Sequence, residues 1–315
     1  MESHREAYLN FSLTGETPRV FFDAVTCLCK NFGKMKKQVL WVSHASRGGL
    51  KFVVEEESNF QASVLVRQSG FAKLEVSENF GGLCVFLTDL LDGLSVLGVT
   101  QTSQNFSNLS TSRASVLRVV QEKENEPLYL ILHDPDFVTQ CRLKTIQADP
   151  PVDFSFFSSS VVCSAILASD MLREALQEID VAGTEALKVS VKREGIKPTI
   201  SLQGVGRDGT TDTYGGFVGI SVCVEFPSPI DSSSDVFAEF HVTDEFSGIV
   251  FPIHFIRRCL RALAFSDTCR LRVNRTGILS LVIRFRTGSK IPEQVVEISS
   301  SYCFLEYLVC PLEAV

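Results

Sequence analysis

The sequence predicts an α+β fold built as two tandem halves, and three observations predict it. Short stretches of apolar/polar alternation or β-branched residues recur along most of the chain, which is strand patterning. Four segments carry apolar residues at helical spacing instead. These four are spaced as two pairs, the third following the first by about 150 residues and the fourth following the second by about 165, as when one supersecondary plan is used twice.

In chain order, strands are predicted at 6–13, where Ala7, Leu9, Phe11 and Leu13 alternate, and at 38–44, 49–56, 60–67, 71–77, 114–121, 127–133 and 137–146. The second half repeats the style at 160–168, 186–192, 198–204, 236–243, 268–274, 277–286 and 295–309. The first helix is predicted over 18–32, with Pro18 in its first turn and Phe21, Ala24, Val25, Leu28 and Phe32 as its apolar stripe. Its opposite stripe carries Arg19, Asp23, Thr26 and Lys30, followed by Lys34, Lys36 and Lys37. A second helix spans 87–97, with Leu87, Leu90, Leu91 and Leu94 on one face and Asp89 and Asp92 among its other residues. A third spans 170–180, with Ser169 and Asp170 placed to cap it and Leu172, Ala175, Leu176 and Ile179 facing inward. The fourth spans 252–264; Ile253, Ile256, Leu260 and Leu263 face the core, and His254, Arg257, Arg258 and Arg261 share another face. A Pro-rich connector runs from Ile146 to Asp153, and 99–112 and 226–235 read as surface loops.

Composition narrows the function. With 315 residues, 45% hydrophobic and 21% charged, the chain can bury a core, and no run approaches the ~20 apolar residues of a spanning helix. The 10 cysteines include no C-x-x-C pair and sit mostly in apolar runs, the pattern of reduced, buried thiols. A net charge of −7 argues against a protein that coats nucleic acid over its whole surface, but not against one with a local basic stripe.

Catalytic signatures fail on inspection. Gly204-Val-Gly206-Arg-Asp-Gly209 follows a strand, but the next residues, Thr210 to Gly216, make a poor helix start, so no helix N-terminus is there for a pyrophosphate. The five histidines lack metal-ligand spacing, and the pairs Asp134/Asp136 and Asp149/Asp153 read as turn and connector chemistry. The expectation is therefore no catalytic residue, no metal and no cofactor. What remains is the basic stripe on two helices at matching places in the halves. A concave surface lined by such helices would attract phosphates without reading bases.

The residues also resemble a known family. Gly49-Leu-Lys-Phe-Val-Val-Glu55 followed by Phe60-Gln-Ala62, Leu87-Thr-Asp-Leu-Leu-Asp-Gly-Leu-Ser95, Leu172-Arg-Glu-Ala175, Gly277-Ile-Leu-Ser-Leu281 and Phe304-Leu-Glu-Tyr307 with Cys310-Pro311 are similar to successive motifs of the Rad-one family, within the sliding clamps of the proliferating-cell-nuclear-antigen (PCNA) type. They occur in the family's order over most of the chain. The resemblance implies two PCNA-like sliding-clamp domains, 1–146 and 161–315, joined by a connector at 147–160, each with two inner helices on outer antiparallel sheets. It implies a non-enzymatic subunit of the heterotrimeric nine-one-one DNA damage checkpoint clamp in the nucleus. The partners would be Rad-nine-like and Hus-one-like subunits, a clamp loader, duplex DNA without sequence specificity, and checkpoint and DNA repair proteins, with no membrane. The alternatives are a homotrimeric replication processivity clamp and a metal-dependent 3′→5′ exonuclease.

Carried onto this sequence, the resemblance makes Arg19, Lys30, Lys34, His254, Arg257, Arg258 and Arg261 the DNA-facing candidates, although Arg257 and Arg258 also suit capping of a helix–sheet seam. Phe60, Val152, Leu308 and Pro311 would line a partner-docking groove under the connector. The edge strands joining subunits would be 136–146, with Cys141 and Leu143, and 208–216, with Thr211 and Thr213. The second half also carries extra residues from Phe217 to Ile230.

Overall fold

The computed structural model describes residues 8–30, 37–99, 115–181, 183–194, 197–206, 222–227, 237–285 and 303–312. The first half runs β1 (Leu9–Thr14), α1 (Thr17–Thr26), β2 (Val39–His44), β3 (Leu50–Glu56), β4 (Phe60–Val66), β5 (Lys73–Val76), β6 (Leu83–Phe86), α2 (Leu87–Val96), β7 (Val116–Gln121), β8 (Leu128–His133) and β9 (Val138–Leu143). The second runs β10 (Val161–Ala168), α3 (Ser169–Ile179), β11 (Thr184–Glu194), β12 (Lys197–Gly206), β13 (Cys223–Pro227), β14 (Phe237–Val242), β15 (Phe246–Pro252), α4 (Ile253–Leu263), β16 (Thr268–Asn274), β17 (Leu279–Arg284) and β18 (Cys303–Val309). The order of strands and helices is the same in both halves.

Pairing repeats with the order. β1 pairs antiparallel with β5 and β7, and β10 with β14 and β16. β2 pairs with β3 and β6, and β11 with β12 and β15. β7 continues to β8, and β16 to β17. The fold is α+β, as the patterning predicts, and its sheets are antiparallel, as the resemblance implies.

The chain forms two compact units. The first comprises 1–55, 63–151 and 285–305; the second comprises 56–62, 152–284 and 306–315. In the first, one sheet has the order β5-β1-β7-β8-β9, and the other runs β6-β2-β3 to the later residues of β4. In the second, one sheet has the order β13-β12-β11-β15, and the other runs β14-β10-β16-β17-β18 and then Phe60–Ala62 of β4.

Each core is built from one helix pair and the inner faces of its sheets. In the first unit α1 packs on α2. Phe11, Phe21, Phe52 and Phe71 interlock there edge-on, with centroids 5.0 Å apart for Phe21–Phe52 and 5.3 Å for Phe11–Phe71. In the second unit α3 packs on α4, and Leu172, Leu176, Ile256 and Cys259 close over Leu187, Val189 and Leu202. Each such side chain contributes roughly 1.5–3 kcal/mol by leaving water.

Three predictions are corrected. The helix expected over 18–32 ends at Thr26. Thr26 Oγ1 donates back to the Phe22 carbonyl (2.6 Å), and Cys27 N–H turns to the Ala24 carbonyl (3.1 Å), tightening and ending the last turn. Strands β6, β13 and β15 are absent from the sequence prediction. β6 and β15 run straight into a helix, so their apolar residues merge with the helical stripe. β13 overlaps the start of the 226–235 stretch read as a surface loop, where Phe226 is buried and paired with Ile200 of β12. Gly204 and Gly206 lie inside β12. A Cβ at Gly204 would sit 3.0 Å from Ile179 Cγ2, so this glycine lets the end of α3 approach the strand.

Candidate nucleic-acid interface

The site is built on α4. Pro252, in extended conformation, ends β15 and starts the helix. Its buried residues include Ile253, Phe255, Ile256, Cys259, Ala262 and Leu263, while His254, Arg257 and Arg261 are exposed. Spacings of three and four place these three on one face. Arg261 lies in the last turn, where the helix dipole favours a cation.

Arg257 is held by Asp180, the residue that follows α3. Its Nε lies 2.9 Å from each carboxylate oxygen and its Nη2 lies 2.6 Å from Oδ1. Hydrogen bonding to Asp180 holds the Arg257 pKa above its usual value. This pair fastens α4 to the end of α3, and a paired guanidinium attracts phosphate less than an open one.

Arg258 corrects the expectation for it. Its side chain is 5% exposed and bonds Glu56 Oε2 through Nη2. The guanidinium carbon lies 4.5 Å from the Phe60 ring centroid and 5.8 Å from that of Phe255. Phe60 and Phe255 stack at 4.7 Å, and Tyr307 Oη donates to the Arg258 carbonyl (3.3 Å). Arg258 is thus a buried core cation of the second unit, turned away from solvent. The sequence put it with Arg257 and Arg261 because adjacent residues differ by only 100° around a helix, and spacing alone cannot say where the core ends.

The other helices carry different charge. On α1, Arg19 is exposed and lies 3.8 Å from Asp23 one turn on. Lys30 is exposed, beyond the helix end, and its backbone N–H donates to Gln38 Oε1 (3.3 Å). Lys34 lies outside the described residues. On α2, Asp92, Ser95 and Val96 are exposed. On α3, Asp170, Glu174 and Glu178 are exposed, and Arg173 is tied to Asp170 (3.0 Å). The acidic face of α3 has a sequence signal, Asp170, Glu174 and Glu178 spaced by four.

The proposed groove residues separate. Phe60 is fully buried and Leu308 nearly so, which corrects their assignment to an open groove. Val152 is 53% exposed, and its carbonyl accepts from Gln61 Nε2 (2.9 Å). Pro311 is half-buried, and the following Leu312 N–H bonds the Val250 carbonyl (2.8 Å). Phe157, exposed on the connector, was not singled out in the sequence; it and Phe156 flank the Arg272 guanidinium at 5.0 and 5.1 Å.

Among the described residues β9 is a sheet edge, paired only with β8. Cys141 and Leu143 belong to it but point inward; Cys141 Sγ contacts the Gly93 carbonyl at 3.9 Å and Leu143 is buried. The exposed side chains are Val138, Gln140 and Arg142, next to Phe137, and both Phe137 and Val138 are about 60% exposed. Thr211 and Thr213 lie outside the described residues. Among the described residues the edge strands of that half are β13, paired only with β12, β14, paired only with β10, and β15, paired only with β11.

Among the described residues no three His, Cys, Asp or Glu side chains group as metal ligands. Asp134 accepts from Ser115 Oγ, and Asp153 accepts from the Ser155 N–H (2.8 Å). All 10 cysteines are free thiols. Burial pushes the Cys84 thiol up to about 11 and those of Cys163 and Cys269 up to about 12, which leaves them little nucleophilic thiolate at neutral pH.

Comparison with known proteins agrees with this architecture. The profile of the family described as Repair protein Rad1/Rec1/Rad17 matches residues 11–285. The cell cycle checkpoint protein RAD1 of Mus musculus is 27% identical over 290 residues, which cover 91% of this chain and 90% of that protein. The DNA damage checkpoint control protein rad1 of Schizosaccharomyces pombe is 23% identical over 279 residues, covering 85% and 78%. The crystal structure of the proliferating cellular nuclear antigen of Entamoeba histolytica superposes with a TM-score of 0.65 at 12% identity, over 97% of this chain and 99% of that one. A chain with this duplicated order of strands and helices, matched along most of its length, belongs to the Rad1 family of checkpoint clamps and has the PCNA-like clamp fold.

Proposed function

We propose that this chain is one subunit of a heterotrimeric ring that encircles duplex DNA at damage sites and serves, without catalysis of its own, as a scaffold for checkpoint signalling and DNA repair. Residues 1–146 and 161–315 are its two clamp domains and 147–160 the connector. The other two subunits are Rad-nine-like and Hus-one-like, a clamp loader opens the ring, and the complex works in the nucleus. His254, Arg257 and Arg261 of α4, with Arg19 and Lys30, hold the duplex by its phosphates. Val152 and Pro311 contribute to the partner-docking surface.

One observation carries this reading. β9 is the last strand of the first half and β13 the fourth strand of the second; each has a single sheet neighbour among the described residues. Each is therefore an open edge within its own unit. Pairing β9 of one subunit with β13 of the next covers both edges and generates a head-to-tail assembly.

The test is the native mass of the purified chain, alone and with two candidate clamp subunits. A monomer that enters an equimolar three-protein complex only when both partners are added is the expected result. A stable self-trimer would replace this reading with a homotrimeric processivity clamp.

A further inference from the structure

The first unit holds a cavity of about 240 Å³ that the ring reading does not use. The apolar voids in the two cores measure about 20 and 10 Å³, room for little more than one water. Pockets for drug-sized ligands run to ~300–1,000 Å³. The present cavity therefore suits a single long side chain.

Its lining has a consistent chemistry. Trp41, on β2, is the single tryptophan of the chain. Gly82, at φ 105°, lies so close that a Cβ there would be 2.6 Å from the indole Cζ2, so the bare backbone holds the ring in place. Gln121 ends β7 and is 1% exposed. Its Nε2 donates to the Glu126 carbonyl (2.8 Å), which fixes the orientation of the amide. Oε1 is left buried, without a hydrogen-bond donor, on a residue that lines the cavity. A buried carbonyl oxygen in that state costs roughly 1–3 kcal/mol until a donor reaches it. Glu124 and Asn125 are exposed and form the rim. Thr145 Oγ1 ties that rim to the chain after β9 through the carbonyls of Asn125 (3.3 Å) and Glu126 (3.2 Å).

Among the described groups of the lining, an amide oxygen is buried without a donor and the acidic Glu124 side chain stands at the rim, beside an indole. Such a set selects a cationic donor. A planar guanidinium can stack on indole while its fork reaches two acceptors, whereas an ammonium is a hydrated point charge. We propose that this cavity is a docking pocket for an arginine side chain presented by a partner protein. The site lies wholly within the first unit and does not depend on ring formation or on DNA.

Because Trp41 is the only tryptophan, its emission reports the site directly. The chain is titrated with N-acetyl-arginine amide, with the neutral isostere N-acetyl-citrulline amide, and with free arginine. The expected result is a saturable change with the capped arginine and at least tenfold weaker binding of the citrulline analogue. Free arginine should bind no more tightly than the capped form. Glu124→Gln, at an exposed position that folding does not need, should weaken the capped arginine about fivefold with thermal unfolding unchanged. No saturable response, equal binding of citrulline, or indifference to Glu124→Gln would overturn the proposal and leave a water-filled cavity. Much tighter binding of free arginine would overturn it in favour of a small-molecule site.

Discussion

Helices α2 and α4 occupy the same place in the two halves, and their inner and outer faces differ in what constrains them. Both start directly after a strand. Four buried positions correspond in order, Leu87, Leu90, Gly93 and Leu97 against Ile253, Ile256, Cys259 and Leu263, whereas buried Leu91 and exposed Asp92 fall opposite exposed Arg257 and buried Arg258. Their exposed residues have nothing in common. α2 shows Asp92, Ser95 and Val96 to solvent, and α4 shows His254, Arg257 and Arg261. Packing fixes the inner face, because interiors tolerate only changes that preserve volume and apolarity. The outer face carries no such constraint, so charge there is a separate layer of information laid over a duplicated scaffold.

The sharpest way to break this comparison is to exchange consecutive residues of α4. Arg258→Ala should cost about 3 kcal/mol, since it removes a buried guanidinium that packs on Phe60 and bonds the largely buried Glu56 carboxylate. Arg257→Ala should cost only about 0–1 kcal/mol, because its pair with Asp180 is solvent-screened. Urea denaturation of the two variants measures the difference, and equal losses would erase the inner/outer distinction. Arg258→Met with Glu56→Leu should recover most of the loss by replacing the pair with apolar packing.

The same contrast can be read through thiols. Cys163 and Cys269 are buried with raised pKa values of about 12. Above about pH 8.5 the unfolded chain ionises these thiols while the folded chain keeps them protonated. The unfolded state then binds fewer protons, and stability falls as pH rises towards the folded pKa. The loss should reach about 1 kcal/mol per thiol at pH 9.5, measured as a lower urea midpoint than at pH 7.5. Replacing either residue with Ala should shrink that pH dependence, whereas replacing the exposed Cys223 should not.

The smallest expected effect sharpens the comparison from the other side. If the outer face of α2 also looks onto DNA in the ring, Asp92→Arg should add one phosphate contact. Retention should then become steeper in salt by about 0.9 in log–log slope. An unchanged slope would mean that this face of α2 looks elsewhere.

How far the sequence could be read follows from the same division. Helices α2, α3 and α4 were legible because their stripes are long and periodic, and most strands because they alternate. Prediction fails where one element runs into the next, as at Phe86–Leu87 and Pro252–Ile253, where a local bond ends a helix, as Thr26 does in α1, and where a short strand merges into a Ser- and Pro-rich stretch, as β13 does. At the candidate site, His254, Arg257 and Arg261 were legible as one face. Arg258 was not, because its burial depends on Glu56 and Phe60, some two hundred residues away in sequence. Phe60 was mistaken for a groove residue for the same reason: its stacking on Phe255 has no local signature. The cavity beside Trp41 was invisible because β2, β6, β7 and the chain after β9 each contribute a few residues to it.

In the proposed ring, the exposed face of α4 grips duplex DNA. The direct measurement is retention of that complex on closed circular DNA as salt is raised, for the parent and for Arg257→Glu with Arg261→Glu. The predicted result is loss of the variant complex at clearly lower salt for every DNA sequence tried, since phosphate contacts carry no base information, with folding and subunit assembly intact. Retention identical to the parent across the salt range would contradict it.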